Sequence, residues 1–422
     1  MQYKINNKVS LYNFRIDLHK AQVKSWQLLL FLMIFIPRTG QSWKLIVLSF
    51  LFILSALNVI KTGTLRINKK IAIFLFLHLL YVTFSGFHGL IKSNPGTQDF
   101  LRVNLIYYLV LIFVLSTFFN QNAFDKSIKT IILSANFVSI YSILLLLVKL
   151  QIWPEAYFIY FDITSNVGIH EGYVHLVNTN LSMMIFILPF LITLFLNGFE
   201  FYEVSRKQVF FTIVLAVIAT LISGRRIIWL SFIIPIFYYL LKYDKKKIKE
   251  KFKIISTSVV IILIVIIFVF LSSYLSFELM LDRFREAFDS EAESIRFIQA
   301  KALWRGFLEN PLFGSGAGIG VNEFIRSSSA PWIYEMTYNL ILFNSGIIGF
   351  SIFTASHLYL LTNFYKLKKR KIKIGESLFV TYVVVLIASG TNPYFTSSFD
   401  FLWFIIFPLM YFYSKKEKLS RR

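Results

Sequence analysis

Four short stretches carry residue types whose spacing could do chemistry. Ser223-Gly224-Arg225-Arg226 puts two guanidinium groups in a tight turn between apolar runs. The planar guanidinium fork suits a phosphate or diphosphate held bidentately. The other use of arginine beside hydrocarbon is to snorkel to lipid headgroups, and both readings stand at this turn. Arg296 and Arg305 come next, nine residues apart, which on a helix is about 180° of rotation. Only one of them can readily join an anion site with Arg225 and Arg226. Arg305 has Glu309 four residues on and reads as a solvated ion pair. Arg296 is either an anion ligand or a similar surface charge.

Pro311-Leu-Phe-Gly314-Ser-Gly316-Ala-Gly318-Ile-Gly320 alternates glycines, which permits close backbone approach. It fails as a phosphate-binding P-loop, because no strand precedes it and no Gly-Lys-Ser/Thr follows. It reads as a tight, packed loop beside a site. Glu335, with Asn339 one turn later on the expected helix face, could take a proton from a hydroxyl nucleophile if partly desolvated. As an acid near a helix N-terminus it would also complement the helix dipole without any further role.

The elements that must position these residues are membrane spans. The chain has 422 residues, 56% hydrophobic and only 16% charged, against about 25% charged in soluble domains. Twelve apolar stretches separated by Lys/Arg clusters are expected to cross a bilayer, at about 26–37, 43–60, 71–91, 103–119, 130–150, 176–198, 208–222, 227–241, 254–276, 334–362, 376–391 and 399–414. The first is short for a span. The fold class expected is therefore all-α: one polytopic membrane domain over residues 1–422, with about 12 transmembrane helices. The first 25 residues are polar without a cleavable signal pattern, so insertion through internal helices is expected.

With the N-terminus in the cytoplasm, about 31 of the 44 Lys and Arg fall in loops on that side, including Lys245-Lys246-Lys247 and Lys368 to Lys371. Positive-inside topology thus accounts for most of the formal charge of +22, and nucleic acid is not needed as a partner. Both termini are then cytoplasmic. Two large segments face outward: 151–175, with no Lys or Arg, and 277–333, the extracytoplasmic helical loop. In the latter, Phe277, Met280, Leu281, Phe284 and Phe288 line one face of a first helix, and a second, about 291–308, ends at Asn310-Pro311.

Other candidates point to no cofactor. The chain has no cysteine, and His170, Glu171 and His175 have no ligand spacing that closes a zinc site. Glu291-Ala-Glu293 reads as a helix cap more readily than as a cation site. His78 and His357 lie within spans and read as hydrogen-bonded between helices, although intramembrane histidines also suit a transporter. No nucleophile elbow, dinucleotide fingerprint or kinase set is present.

Taken in order, these stretches resemble the O-antigen ligase/polymerase superfamily, the Wzy and WaaL type. Gly172-Tyr-Val-His-Leu-Val-Asn-Thr-Asn180-Leu-Ser is similar to the family's glycine-to-"PN-x-L-A" stretch at the start of a central span. Leu221 to Trp229 resembles its "S-G-S-R" turn, with Arg226 on the family arginine and Arg225 where serine is usual. Arg296 through Trp304 to Gly318 resembles "R…W…P-L-x-G-x-G-x-G", and Glu335 through Asn344 to Gly349 resembles "H-N-x-x-L…G-x-x-G". The resemblance covers roughly residues 165–350 and departs at Glu335, where the family's ligases carry a histidine assigned as the base.

That resemblance implies a metal-independent, cofactor-free glycosyltransferase of the bacterial cytoplasmic membrane. It would polymerise undecaprenyl-diphosphate-linked oligosaccharide repeat units of O-antigen, capsule or exopolysaccharide at the outer face. Arg225, Arg226 and Arg296 would bind the diphosphate, with Glu335 catalytic alongside Arg226 and Arg296. Asn180, Gly314, Gly316 and Asn339 would support the site. The partners implied are the lipid-linked oligosaccharide, the bilayer and a polysaccharide chain-length regulator. The substitution at Glu335 favours a polymerase. The rival readings are a ligase moving finished glycan to a lipid or protein acceptor, and a transporter or flippase without chemistry.

Overall fold

The computed structural model describes residues 17–37, 40–63, 65, 68–149, 153–154, 166–170, 173–177, 179–198, 203–223, 225–242, 256, 291–395 and 398–414. The expected span 254–276, the Phe277–Phe288 stripe and Lys245-Lys246-Lys247 lie outside these residues. The other eleven expected spans each contain a described helix: α1 (Leu18–Phe35), α2 (Gln41–Thr62), α3 (Lys69–Ile91), α4 (Thr97–Phe118), α5 (Gln121–Lys149), α6 (Met184–Leu196), α7 (Arg206–Ile222), α8 (Arg226–Lys242), then α10 (Thr337–Lys369), α11 (Lys373–Ser389) and α12 (Trp403–Ser414). Helix α9 (Glu291–Glu309), which coincides with none of the expected spans, precedes α10. By length and composition α2, α3, α4, α5 and α10 can each cross a bilayer, and shorter apolar helices occupy Asn180–Leu196, Ile227–Lys242 and Phe399–Phe412. The protein is an all-α polytopic membrane protein.

Helix starts differ from hydropathy where polar residues find partners inside the bundle. α1 begins at Leu18 rather than 26, with Asp17 capping the amide of Lys20. Its buried Gln22 donates to Ser55 and Thr117 on neighbouring helices. α5 begins at Gln121 rather than 130, and the hydroxyls of Ser127, Thr130 and Ser134 return to carbonyls four residues back. Polar side chains satisfied in this way cost little in a bundle interior. Hydropathy counts them as breaks.

The sixth span is the largest local departure. Its first two residues, 176–177, end an antiparallel hairpin of β1 (Asn166–His170) with β2 (Tyr173–Val177) that otherwise lies in the expected outer segment, and a 3-10 turn follows at Thr179–Met183. α6 itself is short and buried on nearly every side, as expected of a helix at the centre of a bundle. It packs on α7, α8 and α11, while α10 packs on α3, α11 and α9. One contiguous apolar core runs through the bundle, with rings such as Phe186, Trp403 and Phe407 in edge-to-face contact.

The two histidines within spans bridge helices, as their positions suggest. His78 meets the carbonyl of Asn104 at 3.2 Å and His357 meets the hydroxyl of Tyr382 at 2.6 Å. Near the ends of α1 and α2, Lys44 and Asp400 form an ion pair with both side chains fully buried. Gln41 and Ser398 also donate to Asp400, and Lys44 reaches the carbonyl of Ile36.

Candidate functional site

The site is assembled where α9 leans on the start of α10. Leu303, Val321, Tyr334, Leu340 and Phe343 form a small separate core there. Gly306 permits the contact, since a Cβ on it would sit 2.7 Å from the ring of Phe343. The hydroxyl of Tyr334 accepts from the amide of Val321 at 2.8 Å and donates to the carbonyl of Phe324 at 2.9 Å. Its burial pushes the phenol's pKa up, so it remains a neutral donor. These contacts hold residues 321–335 as an ordered strap.

Glu335 closes that strap. α10 starts at Thr337, so Glu335 precedes the helix, and the expected helical turn between Glu335 and Asn339 does not form. The amide of Thr337 bonds the carbonyl of Glu335 at 2.9 Å instead. Asn339 lies in the first turn of α10, half-buried. On α9, Arg296, Gln299 and Leu303 share one face by their spacing of three and four. Leu303 enters the small core, and Gln299, fully buried, accepts from the Glu335 amide at 3.0 Å. Arg296 then places Nε 3.0 Å from one Glu335 carboxylate oxygen.

The second carboxylate oxygen is taken by Arg326 at 2.5 Å. Sequence reasoning missed Arg326. Its one local hint was an arginine in an outward segment, against the positive-inside trend. Arg305 bonds Glu323 at 3.1 Å rather than the expected Glu309, both side chains being half exposed. Arg296 and Arg305 thus serve different partners, in keeping with their opposite faces.

Arg225 approaches from the turn after α7. Ser223 bonds the Thr220 carbonyl and receives the Arg225 amide, fixing the turn. The Arg225 guanidinium donates to Ser182 at 2.7 Å. Burial pushes its pKa down, and the negative charge of Glu335 partly offsets this. Arg225 therefore lies within electrostatic reach of Glu335. Arg226 opens α8, and its side chain lies outside the described residues, as do Gly224 and the side chains of Glu291 and Glu293. Glu171 and the side chains of His170 and His175 are outside as well.

The glycine loop does a different job from the arginines. Gly346 interrupts α10 at φ 59°, ψ −169°, a region essentially open only to glycine. The two helical bonds lost there are replaced from the loop. Ile347 and Ile348 donate to the carbonyls of Pro311 and Leu312, and the carbonyls of Phe343 and Asn344 accept from Ser315 and Gly316 at 2.8 Å each. On its other side the loop meets the end of α3, where a Cβ on Gly316 would lie 2.7 Å from Gly89. Gly314 is buried against the same interruption. Asn180 is further off in its contacts: it donates to the carbonyl of Phe35 and so ties the 3-10 turn to the end of α1.

The structure thus brings together Arg225, Arg296, Arg326 and Glu335, with Gly314 and Gly316 bracing α10 beneath them. Among the described residues no group of three or more His, Cys, Asp or Glu side chains is placed to hold a metal ion. Such a cluster of cations around one carboxylate can bind a polyanion or steady a leaving anion. Comparison with known proteins gives one family match: residues 211–354 fit the family model described as O-antigen ligase. That interval runs from α7 to beyond Gly346 and contains all four charged residues of the cluster. Comparison with curated proteins gives no match.

Proposed function

We propose that this chain, whose residues 211–354 match the family model described as O-antigen ligase, is a polymerase of lipid-linked oligosaccharide repeat units. The donor is a glycan on undecaprenyl diphosphate and the acceptor is a sugar hydroxyl of a second lipid-linked unit. The reaction takes place at the outer face of a bacterial cytoplasmic membrane, an orientation supported by the placement of Lys and Arg.

The observation that carries this reading is the pairing of Glu335 with both Arg296 and Arg326. The two ion pairs are partly exposed, a class worth about 0–1 kcal/mol each. Opening them therefore sacrifices little stability. A diphosphate carries more charge than the carboxylate and can take over the guanidinium groups. Glu335 is then released to accept the proton of the acceptor hydroxyl. The hydroxyl oxygen bonds the anomeric carbon, and the bond from that carbon to the phosphate oxygen breaks. The electron pair leaves on the diphosphate, where the fixed cations stabilise it without a metal ion. Arg226 is assigned to the same anion by its position in the motif, and a chain-length regulator is a further partner of the reading.

The ligase reading keeps one specific support, the description of the matching family itself. Deleting the gene separates the two. Polymerase function predicts that a ladder of glycan lengths collapses to single repeat units and returns with the wild-type gene. Long chains stranded on the carrier lipid would make the protein a ligase, and an unchanged profile of both pools would overturn the enzymatic reading.

A further inference from the structure

A pocket of about 140 Å³ opens between α3, α4, the strap and the start of α10, with Tyr81, Asp99, Arg102, Trp332 and Asn344 among its walls. It is not part of the arginine cluster, but Trp332 lies three residues before Glu335 on the strap. Asn344 lies seven residues into α10, about 10 Å along the helix. A cavity of roughly this size accepts a single six-membered ring.

Its walls specify the kind of ring. Trp332 packs closely on Gly96, where a Cβ would fall 2.3 Å from the indole. Together with Tyr81 it supplies an apolar wall for the C–H face of a ring. Asp99 and Arg102, paired at 2.6 Å and half exposed, offer an acceptor and donors side by side. Asn344 is more than nine-tenths buried, yet its side-chain Oδ1 has no hydrogen-bond partner among the described residues. Its backbone carbonyl is already used by Gly316, so the side chain is the group awaiting a ligand. Buried amides are normally paired. A prenyl tail would fill the apolar wall and leave Asn344 unpaired. A phosphate would leave the apolar wall of Tyr81 and Trp332 unfilled and would stand beside the like charge of Asp99. A pyranose provides both an apolar face and hydroxyls that donate and accept.

We infer that this pocket binds one pyranose residue of the glycan beside the reacting bond, an assignment that rests on the polymerase reading for its ligand class. The probe is the free oligosaccharide repeat unit, without diphosphate, released from the cell's own lipid-linked pool. Its binding to the purified full chain in detergent is followed by saturation-transfer NMR, with undecaprenol as the competing probe. Wild type and Arg305→Ala, a half-exposed position outside both sites, are expected to bind the oligosaccharide alike, while Asn344→Leu and Trp332→Ala weaken it at least tenfold. Asp99→Asn, at the exposed mouth and safe for folding, should weaken it severalfold. Undiminished binding in Asn344→Leu and Asp99→Asn, or competition by undecaprenol instead of sugar, overturns the assignment. The glycan ladder in the deletion strain reports separately on the polymerase reading, so the two can fail independently.

Discussion

Arg326 sits 2.5 Å from the carboxylate of Glu335, nine residues away along the strap, and shares that carboxylate with Arg296 from another helix. The pairing leaves two guanidinium groups neutralised by an acid that a diphosphate can replace. Arg326→Ala is expected to lower transfer from a lipid-diphosphate donor about 10²-fold, the usual loss when one fixed donor to a developing anion is removed. Arg326→Lys keeps the charge but loses the fork and should fall between the two. Turnover of lipid-linked oligosaccharide by the purified variants checks this, and wild-type rates in both would remove Arg326 from the site.

Glu335→Gln discriminates a proton acceptor from a tether. Glutamine keeps one carbonyl oxygen to accept from one of the two guanidinium groups that Glu335 pairs, but its amide nitrogen can neither accept from the other nor take a proton from the acceptor hydroxyl. A loss of about 10²–10⁴ in kcat with little change in donor KM is the expected result. If Gln matches wild type while Ala does not, Glu335 only organises the arginines.

Gly346→Ala tests the bracing of α10. A Cβ there would lie 2.3 Å from the carbonyl oxygen of Leu312, in a backbone conformation closed to alanine. Strain of this kind costs about 1–3 kcal/mol before the clash is added. Thermal unfolding in detergent should show a clear drop in Tm, accompanied by lost activity because Glu335 stands two residues before the start of the same helix.

The buried Lys44–Asp400 pair makes a stability prediction remote from the chemistry. Asp400→Asn leaves Lys44 buried without its counter-charge, which costs about 3–5 kcal/mol. Lys44→Met combined with Asp400→Leu removes both charges and should recover most of that loss. Denaturation of the single and double variants measures it, and a double variant as unstable as the single would contradict the account.

Chelation gives the last prediction. With arginines assigned to the leaving anion, prolonged treatment with EDTA should leave the transfer rate within about twofold of untreated enzyme. Loss of activity restored by one divalent ion would require a metal in the reaction.

What the sequence alone determined was local. A span needs about 20 apolar residues in a row, and that is visible without knowing any neighbour, so the described helices fall on the expected spans. Arg296, Glu335 and the alternating glycines were equally legible, because guanidinium, carboxylate and glycine have intrinsic chemistry. Tertiary structure decided which of them meet. Arg326 joins Glu335 only because Tyr334 and Val321 fold the strap back, and Arg305 finds Glu323 rather than the acid four residues away. Arg225 is held towards the cluster by Ser182, 43 residues distant. The glycine loop proves to be a repair for α10, supplying the bonds that Gly346 breaks. Lys44 and Asp400 are 356 residues apart, and no spacing rule connects them. Such pairings follow from the packing of whole helices and from the need to satisfy buried polar groups, and neither is encoded in any one stretch of chain.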